Sequence, residues 1–358
     1  MPFTPHITAF PRAIPTLKDV DWRNGVLLRS TNWLGDLLMT LPASWQLKTL
    51  LPQGTPLCVA APQGLAPLWK AAPWVDDVIP FPGKRMDSQT RKAVRARDFG
   101  LGVVFPNSFG SAWDLWRCGL PRILGRGGNL RSWMLTDALP RWHAHEGEGQ
   151  FHQLSWYLEL VSALGPVKLS AECPPLRVSA EPAAQIGIHK GAGEKWVALA
   201  PGAAYGPAKQ WPPECYDFVA ADLLKNGYKV VLVGSQKEAK LTASIAKRAP
   251  GALDLGGKTP LDALMSVLQQ VDAVVANDSG SMHLAAALGT PGVALFASTD
   301  PIATGPLGAP WELLVADVSC RPCLQRQCPW VGARKYLCMY KLPPQDALKA
   351  LYALLQRA

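Results

Sequence analysis
Residues 195–297 contain four short and almost wholly apolar runs: KWVALA (195–200), KVVLVG (229–234), VDAVVA (271–276) and GVALFA (292–297). Runs of this kind, apolar at successive positions, suit strands covered on both faces. The intervals between them carry helical spacing. Phe218, Val219, Leu223 and Leu224 mark a helix over 214–225 that Gly227 stops, and a second follows at about 237–248. Leu261, Leu264, Met265 and Leu268 mark a third, with Thr259 as cap and Pro260 at its first position. A fourth runs over 279–288 and closes at Gly289. Strands alternating with helices specify an α/β fold built on a parallel sheet.

The first half repeats the theme with a strand at 25–30, a helix over 36–50, and strands at 56–60 and 101–105. At 358 residues the chain has room for two domains. The Pro-rich stretch near 166–182 divides them, giving an extension over 1–22, a first domain over 23–175 and a second over 176–342. A last helix over 343–358 is placed either on the second domain or crossing back to the first. Ligands of such sheets bind beyond the carboxyl ends of the strands, so two domains facing one another would share a central cleft.

No apolar run reaches the roughly 18–20 residues of a membrane-spanning helix, and the Pro-broken amino terminus has no continuous apolar core of a signal peptide. A cytoplasmic protein is expected. The formal charge is +9, and it is not spread evenly. Residues 82–131 contain Lys84, Arg85, Arg91, Lys92, Arg95, Arg97, Arg117, Arg122, Arg126 and Arg131 against Asp87, Asp98 and Asp114, which is +7 of that total. Any one of these arginines is adequately explained by a solvated helix around 87–98. The local excess points to an anionic partner. No zinc-finger, helix-turn-helix or RNP-type pattern accompanies it, so nucleic acid is not the expected partner; a phosphorylated or carboxylated ligand at a membrane surface is.

Three segments carry the chemistry. In VANDSGSMHLAAALG (275–289) a strand runs directly into a helix start, where outward backbone N–H groups and Gly280 make a cradle for a diphosphate. His283 can add a hydrogen bond, and Asp278 can accept from sugar hydroxyls; the segment alone reads equally as an Asx/Ser cap with a core histidine. PGAAYGPAKQWP (201–212) is a loop of small residues carrying Lys209; taken alone it reads as an ordinary turn with a solvated lysine, and beside the first segment as a loop that brings a point charge to phosphate. In RSTNWLGDLLMTLP (29–42), Asp36 stands at a helix start just past a strand, where a carboxylate can cap the helix or serve as a general base.

RSTNWLGD (29–36), PGAAYGPAKQWP (201–212), GYKVVLVGSQKE (227–238) and NDSGSMHLAAALGTP (277–291), in this order, resemble the ADP-heptose:lipopolysaccharide heptosyltransferases, glycosyltransferase family 9, and most closely their heptosyltransferase II branch. The resemblance covers nearly the whole chain after residue 22. It implies a GT-B fold, two Rossmann-like domains with the acceptor on the first and the sugar nucleotide on the second. It implies inverting, metal-independent transfer of heptose from ADP-heptose to a lipid A–Kdo–heptose acceptor, with peripheral contact at the inner membrane. Residue by residue, Asp36 matches the general base, Lys209 the phosphate-contacting lysine and Asp278 the residue that holds heptose hydroxyls. Ser279, Gly280 and His283 match the group around the diphosphate, and Glu238 the acidic residue on the ribose. Lys84, Arg85, Arg91, Arg95, Arg117 and Arg122 are then expected on the acceptor's carboxylates and phosphates. Thr31 stands where close relatives have proline, and Ala297-Ser298-Thr299 where they have Gly-Pro-Ser/Thr.

Cys320, Cys323, Cys328 and Cys338 crowd one Pro/Arg-rich loop. In a cytosolic protein four such thiols suit a structural zinc or an iron–sulfur cluster better than disulfides, with reduced thiols as the alternative. The loop lies beyond both donor motifs, so no catalytic cofactor is expected there. Of the fourteen tryptophans, Trp33 and Trp211 flank motif loops and are candidates for stacking on sugar or adenine, while the rest are assigned to packing. The alternatives are another enzyme of the same fold acting on a different sugar nucleotide, a transferase or an epimerase, and a non-catalytic anion- or nucleic-acid-binding protein. The last leaves the 201–212 and 277–291 motifs unexplained.

Overall fold
The computed structural model describes residues 2–8, 14–141 and 151–357. The first unit, His6–Arg177, contains β1 (Val26–Arg29), α1 (Leu34–Leu50), β2 (Leu57–Pro62), α2 (Ala66–Ala71), β3 (Asp77–Phe81), α3 (Ser88–Ala96), β4 (Leu101–Val104), α4 (Phe109–Cys118), β5 (Ile123–Arg126), β6 (Asp137–Leu139) and α5 (Leu154–Ser162). The second begins at Val178. It contains α6 (Glu181–Gln185), β7 (Trp196–Ala200), α7 (Pro213–Lys225), β8 (Lys229–Leu232), α8 (Ala239–Arg248), β9 (Leu253–Asp254), α9 (Leu261–Gln270), β10 (Ala273–Asn277), α10 (Gly280–Ala287), β11 (Gly292–Phe296), α11 (Pro301–Thr304), β12 (Trp311–Val315), α12 (Leu337–Tyr340) and α13 (Pro344–Leu355).

Each unit holds one six-stranded sheet, and every pairing in both is parallel. The orders are β3-β2-β1-β4-β5-β6 and β12-β11-β10-β7-β8-β9. Counted within its own unit, each sheet therefore runs 3-2-1-4-5-6, and the chain reverses direction across the sheet between strands one and four. That reversal opens a crevice at the strands' carboxyl ends. In the first unit it lies between β1 and β4, so RSTNWLGD leaves its rim. In the second it lies between β7 and β10, so PGAAYGPAKQWP and NDSG leave its two sides.

The central strands are buried along their whole length: Val26, Leu27 and Leu28 in β1, and Val197–Leu199 and Ala273–Ala276 in β7 and β10, have no exposed surface. This is what uniformly apolar runs require. Each unit has its own core. One gathers Leu27, Phe81, Val94, Val104, Leu115 and Ile123, and the other Val197, Leu199, Tyr216, Val219, Val275 and Leu295.

Both ends of the described chain pack on the second unit. The last helix, α13, buries Leu348, Leu351, Leu354 and Leu355 in the second unit's core. Residues 2–5 group with the second unit, where Phe3 N donates to Trp311 O at 2.7 Å. Further along, Leu17 N donates to Ala163 O at 2.8 Å in the first unit. A shift from the sequence-based expectation occurs at α9, where Pro260, and not Thr259, is the cap residue.

Candidate active site
In the second unit the site is organised by Asn277, the last residue of β10. Its side-chain oxygen accepts from Trp211 N and from the Tyr216 hydroxyl, both at 3.1 Å, and its amide donates to Pro201 O at 2.8 Å and Gly202 O at 3.3 Å. One buried amide thus ties both ends of the 201–212 loop to β10. Such a fully satisfied polar group fixes backbone position at the strand ends.

Asp278 follows and is 4% exposed. Its Oδ2 receives Lys209 Nζ at 2.5 Å and the Thr299 hydroxyl at 2.6 Å. His283, one turn into α10, has Nε2 3.9 Å from Asp278 Oδ1. Burial lowers the His283 pKa to about 4, against the opposing pull of Asp278. The imidazole is therefore neutral near pH 7 and can both donate and accept.

Ser279 sits at the cap position of α10 with extended backbone, yet its side chain caps nothing. Its Oγ is buried without a partner, as is the Ser298 Oγ just past β11. Buried hydroxyls are normally bonded. Two orphans at the carboxyl ends of β10 and β11, beside the uncapped N–H groups of α10, describe a place for an oxygen-rich ligand.

Glu238 closes the turn after β8, its Oε2 accepting from Ser235 N and Ser235 Oγ, both at 2.7 Å. A Cβ at residue 202 would lie 2.0 Å from Glu238 Oε1, so the 201–212 loop passes in direct contact with this carboxylate. An acid beyond the second strand of such a unit occupies the usual position for holding a ribose.

The Cys-bearing loop folds back onto this site, although it is remote in sequence. Leu324 N donates to Ser298 O at 2.8 Å, the Tyr205 hydroxyl to Leu324 O at 2.6 Å, and Ala208 N to Arg326 O at 3.2 Å. The loop brings two cations that sequence reasoning missed. Arg321 donates from Nη2 to Thr299 O at 3.2 Å while its buried Nε has no partner. Arg326 lies 5.3 Å from the Tyr205 ring centre, and Lys209 Nζ lies 4.9 Å from the same centre. With Asp278 matched by Lys209 and His283 neutral, Arg321 and Arg326 leave the site net positive.

The thiols themselves do not form the expected metal centre. All four are free, and among the described residues no group of three or more His, Cys, Asp or Glu side chains is placed to hold a metal ion. Cys320 is exposed, Cys328 Sγ accepts from Tyr336 N at 3.3 Å, and Cys338 packs against the second core. Burial, and then the three neighbouring thiols, raise the Cys338 pKa.

In the first unit, Asp36 stands half-buried in the first turn of α1. After burial, its charge is the next cause that pushes the Tyr157 hydroxyl pKa upward, which puts the two side chains near one another. The loop leading to Asp36 is held by Arg29, a fully buried cation. Arg29 reaches Asp114 Oδ2 at 3.3 Å, Asn32 Oδ1 at 3.0 Å and Lys84 O at 3.0 Å. Asp114 Oδ1 receives Arg85 Nε at 3.0 Å. Burial lowers the Arg29 pKa to about 10, so the guanidinium stays charged at neutral pH.

The basic stretch divides by function. Arg122 makes a two-point contact with Asp137 at 2.8 and 3.0 Å and donates to Lys18 O at 2.6 Å. Arg126 pairs with Glu159 at 2.5 Å. Arg131 is buried on Arg126 O, Pro106 O and Ser108 O. Arg91 bonds Met86 O, and Arg95 donates to Arg117 O at 2.7 Å. Lys84 Nζ lies 4.1 Å from the ring centre of Trp33, so Trp33 is an exposed cation platform. Trp211 is in the core, donating from Nε1 to Leu342 O at 2.9 Å, and offers no ring to a ligand.

The sequence profile of glycosyltransferase family 9 (heptosyltransferase) matches residues 88–333. Lipopolysaccharide heptosyltransferase 2 of Escherichia coli is 30% identical over 79% of this chain and 85% of its own length. Lipooligosaccharide heptosyltransferase 2 of Haemophilus influenzae is likewise 30% identical, over 79% of this chain and 86% of its own. Among solved structures, E. coli ADP-heptose lps heptosyltransferase II superposes with a TM-score of 0.77 at 27% identity, covering 93% of this chain and 99% of that one.

Proposed function
Because this chain belongs to glycosyltransferase family 9, the heptosyltransferases, we propose that it transfers heptose from ADP-heptose to the inner core of lipopolysaccharide, as heptosyltransferase II enzymes do. The observation that carries the reading for the donor is the Lys209–Asp278–Thr299 cluster beside the free Ser279 hydroxyl at the start of α10.

In this reading the second unit holds the donor. Glu238 takes the ribose hydroxyls. Lys209, Arg321, Ser279, Gly280 and the N–H groups of α10 take the diphosphate, with neutral His283 donating a hydrogen bond. Asp278 accepts from heptose hydroxyls while Lys209 and Thr299 fix its orientation. The first unit holds the acceptor, whose carboxylates and phosphates meet Lys84, Arg85, Arg91, Arg95 and Arg117. Arg122, already engaged with Asp137, positions the β5–β6 edge and contributes at most its residual charge.

The chemistry is a single displacement. Asp36 removes the proton from the acceptor hydroxyl as its oxygen attacks the anomeric carbon from the face opposite the diphosphate. The bond from that carbon to the β-phosphate oxygen breaks, ADP departs with the electron pair, and the anomeric configuration inverts. Lys209, Arg321 and the start of α10 stabilise the charge that develops on the leaving oxygen. The one Asp-x-Asp triplet of the sequence, Asp19-Val20-Asp21, lies in the amino-terminal extension before β1, outside the donor motifs, and the reading requires no divalent cation. No helix of the described residues is long and apolar enough to cross a membrane, and the protein works from the membrane surface. The test is transfer from ADP-heptose to a heptose–Kdo–lipid A acceptor, with EDTA present, followed by the anomeric configuration of the product.

A further inference from the structure
α4 carries an aromatic surface that the transfer reaction does not use. Phe109 and Trp113 stack with ring centres 6.0 Å apart, and Trp113 meets Trp116 at 5.1 Å. Trp133, from the turn after β5, closes on Trp116 at 5.2 Å and on Trp113 at 6.5 Å. Side chains of this size normally lie in a core. Here Trp116 is 40%, Phe109 41%, Trp133 60% and Leu130 87% exposed.

The arrangement follows from helix geometry. Residues 109, 113, 116 and 117 fall on one stripe of α4, with Trp113 partly buried against the first unit's core, while Ala112, Leu115 and Cys118 turn fully into that core. Leu130 is held out at a turn tip in the left-handed region, with φ of 56° next to Asn129 at 50°, and its carbonyl accepts from Trp133 Nε1 at 3.0 Å. A branched apolar residue rarely adopts that conformation. The turn thus places Leu130 and Trp133 beside the α4 stripe at a cost in backbone strain.

Positive charge rims the rings. The Arg117 guanidinium lies 5.6 Å from the Trp113 ring centre. Arg95 lies against the carboxyl end of α4 through Cys118 O and Arg117 O. Neither is paired with a carboxylate among the described residues. Arg85 shares its one carboxylate, Asp114, with Arg29, so that group also carries a surplus charge. Exposed indoles and a projecting leucine, ringed by unpaired arginines, match the boundary between lipid headgroups and acyl chains. Indole favours that boundary, and guanidinium binds lipid phosphates there.

We propose that the Phe109–Trp113–Trp116 face of α4, with Leu130 and Trp133, docks this protein on an anionic bilayer. Docking holds the first unit at the surface where a lipid-anchored acceptor lies. The inference rests on the proposed function only for that last step.

The experiment compares wild type with Trp116→Ser/Trp133→Ser and Arg95→Ser/Arg117→Ser by cosedimentation, using phosphatidylglycerol/phosphatidylethanolamine vesicles and pure phosphatidylcholine vesicles, without acceptor. Wild type is expected to partition to the anionic vesicles, and each double variant to lose about tenfold. The tryptophan variant keeps its transfer rate on an acceptor stripped of acyl chains and loses it on the same acceptor embedded in vesicles. Equal vesicle binding by wild type and the tryptophan variant overturns the proposal. So does a lipid-free dimer of wild type that the tryptophan variant breaks, which would make the face an interface between copies. Loss of transfer to the deacylated acceptor overturns it too, by making the face a saccharide site. Vesicle binding by a wild type that transfers no heptose leaves this inference standing and removes the proposed function.

Discussion
Lys209 Nζ lies 2.5 Å from Asp278 Oδ2, with the two side chains 13% and 4% exposed. A pair so dry is costly to break from one side, because the remaining charge is left without its partner. Lys209→Ala is expected to raise the KM for ADP-heptose at least tenfold and to lower stability by about 3 kcal/mol. Asp278→Asn keeps an acceptor for Thr299 and should lose activity with a smaller fall in Tm. Donor kinetics and thermal melts of both variants check this.

Ser279 separates ligand binding from stability. Its hydroxyl makes no bond within the protein, so Ser279→Ala removes nothing that holds the fold. The expected result is a Tm unchanged or slightly raised, with ADP affinity reduced about fivefold to tenfold for one lost hydrogen bond to a charged group. Calorimetric titration with ADP reads both.

His283 sets a pH limit. Its folded pKa of about 4 lies below the ordinary 6.5 because burial disfavours the cation. The unfolded chain therefore binds the proton first as pH falls, and stability is lost between about 6.5 and 4. The loss approaches about 3 kcal/mol at the acid end. His283→Gln should flatten that part of the stability–pH curve. A denaturation series over pH 4–7 on both proteins measures the difference.

How much of this was legible follows from where each signal sits. β7, β8, β10 and β11 announce themselves because a strand buried on both faces must be apolar at every position. β3 is masked by Asp77 and Pro80, β12 by Glu312, and β6 is three residues long. Lys209, Asp278 and Ser279 stand out only through the order in which their motifs follow one another, because a loop of small residues or a helix start taken alone reads equally as an ordinary turn or cap. Arg321 was not readable, since tertiary folding alone brings the Cys-rich loop back over Thr299. Trp113, Trp116 and Trp133 have the helical and local spacing of core residues, and only the fold shows that this stripe faces outward.

The Arg29–Asp114–Arg85 cluster behaves asymmetrically. Asp114 is fully buried between a buried arginine and a half-exposed one. Asp114→Ala strands the Arg29 charge and should cost about 3–5 kcal/mol, whereas Arg85→Ala should cost about 1 kcal/mol or less. Urea denaturation midpoints at constant m-value discriminate the two.

Arg321 ties the Cys-rich loop to Thr299, and the proposed function puts its guanidinium on the donor's phosphates. Arg321→Ala should weaken ADP about tenfold and leave adenosine affinity within twofold, because only the phosphates see the guanidinium. Equal losses for both ligands would make its role purely architectural.

The central claim is that Asp36 generates the attacking oxygen for heptose transfer. Its most direct test is the rate of heptose transfer from ADP-heptose to the heptose–Kdo–lipid A acceptor by wild type and Asp36→Asn, with ADP affinity measured in parallel. The account predicts robust turnover by wild type, a loss of at least a hundredfold in kcat for Asp36→Asn, and unchanged ADP binding. Full transfer by Asp36→Asn, or none by wild type, would contradict it.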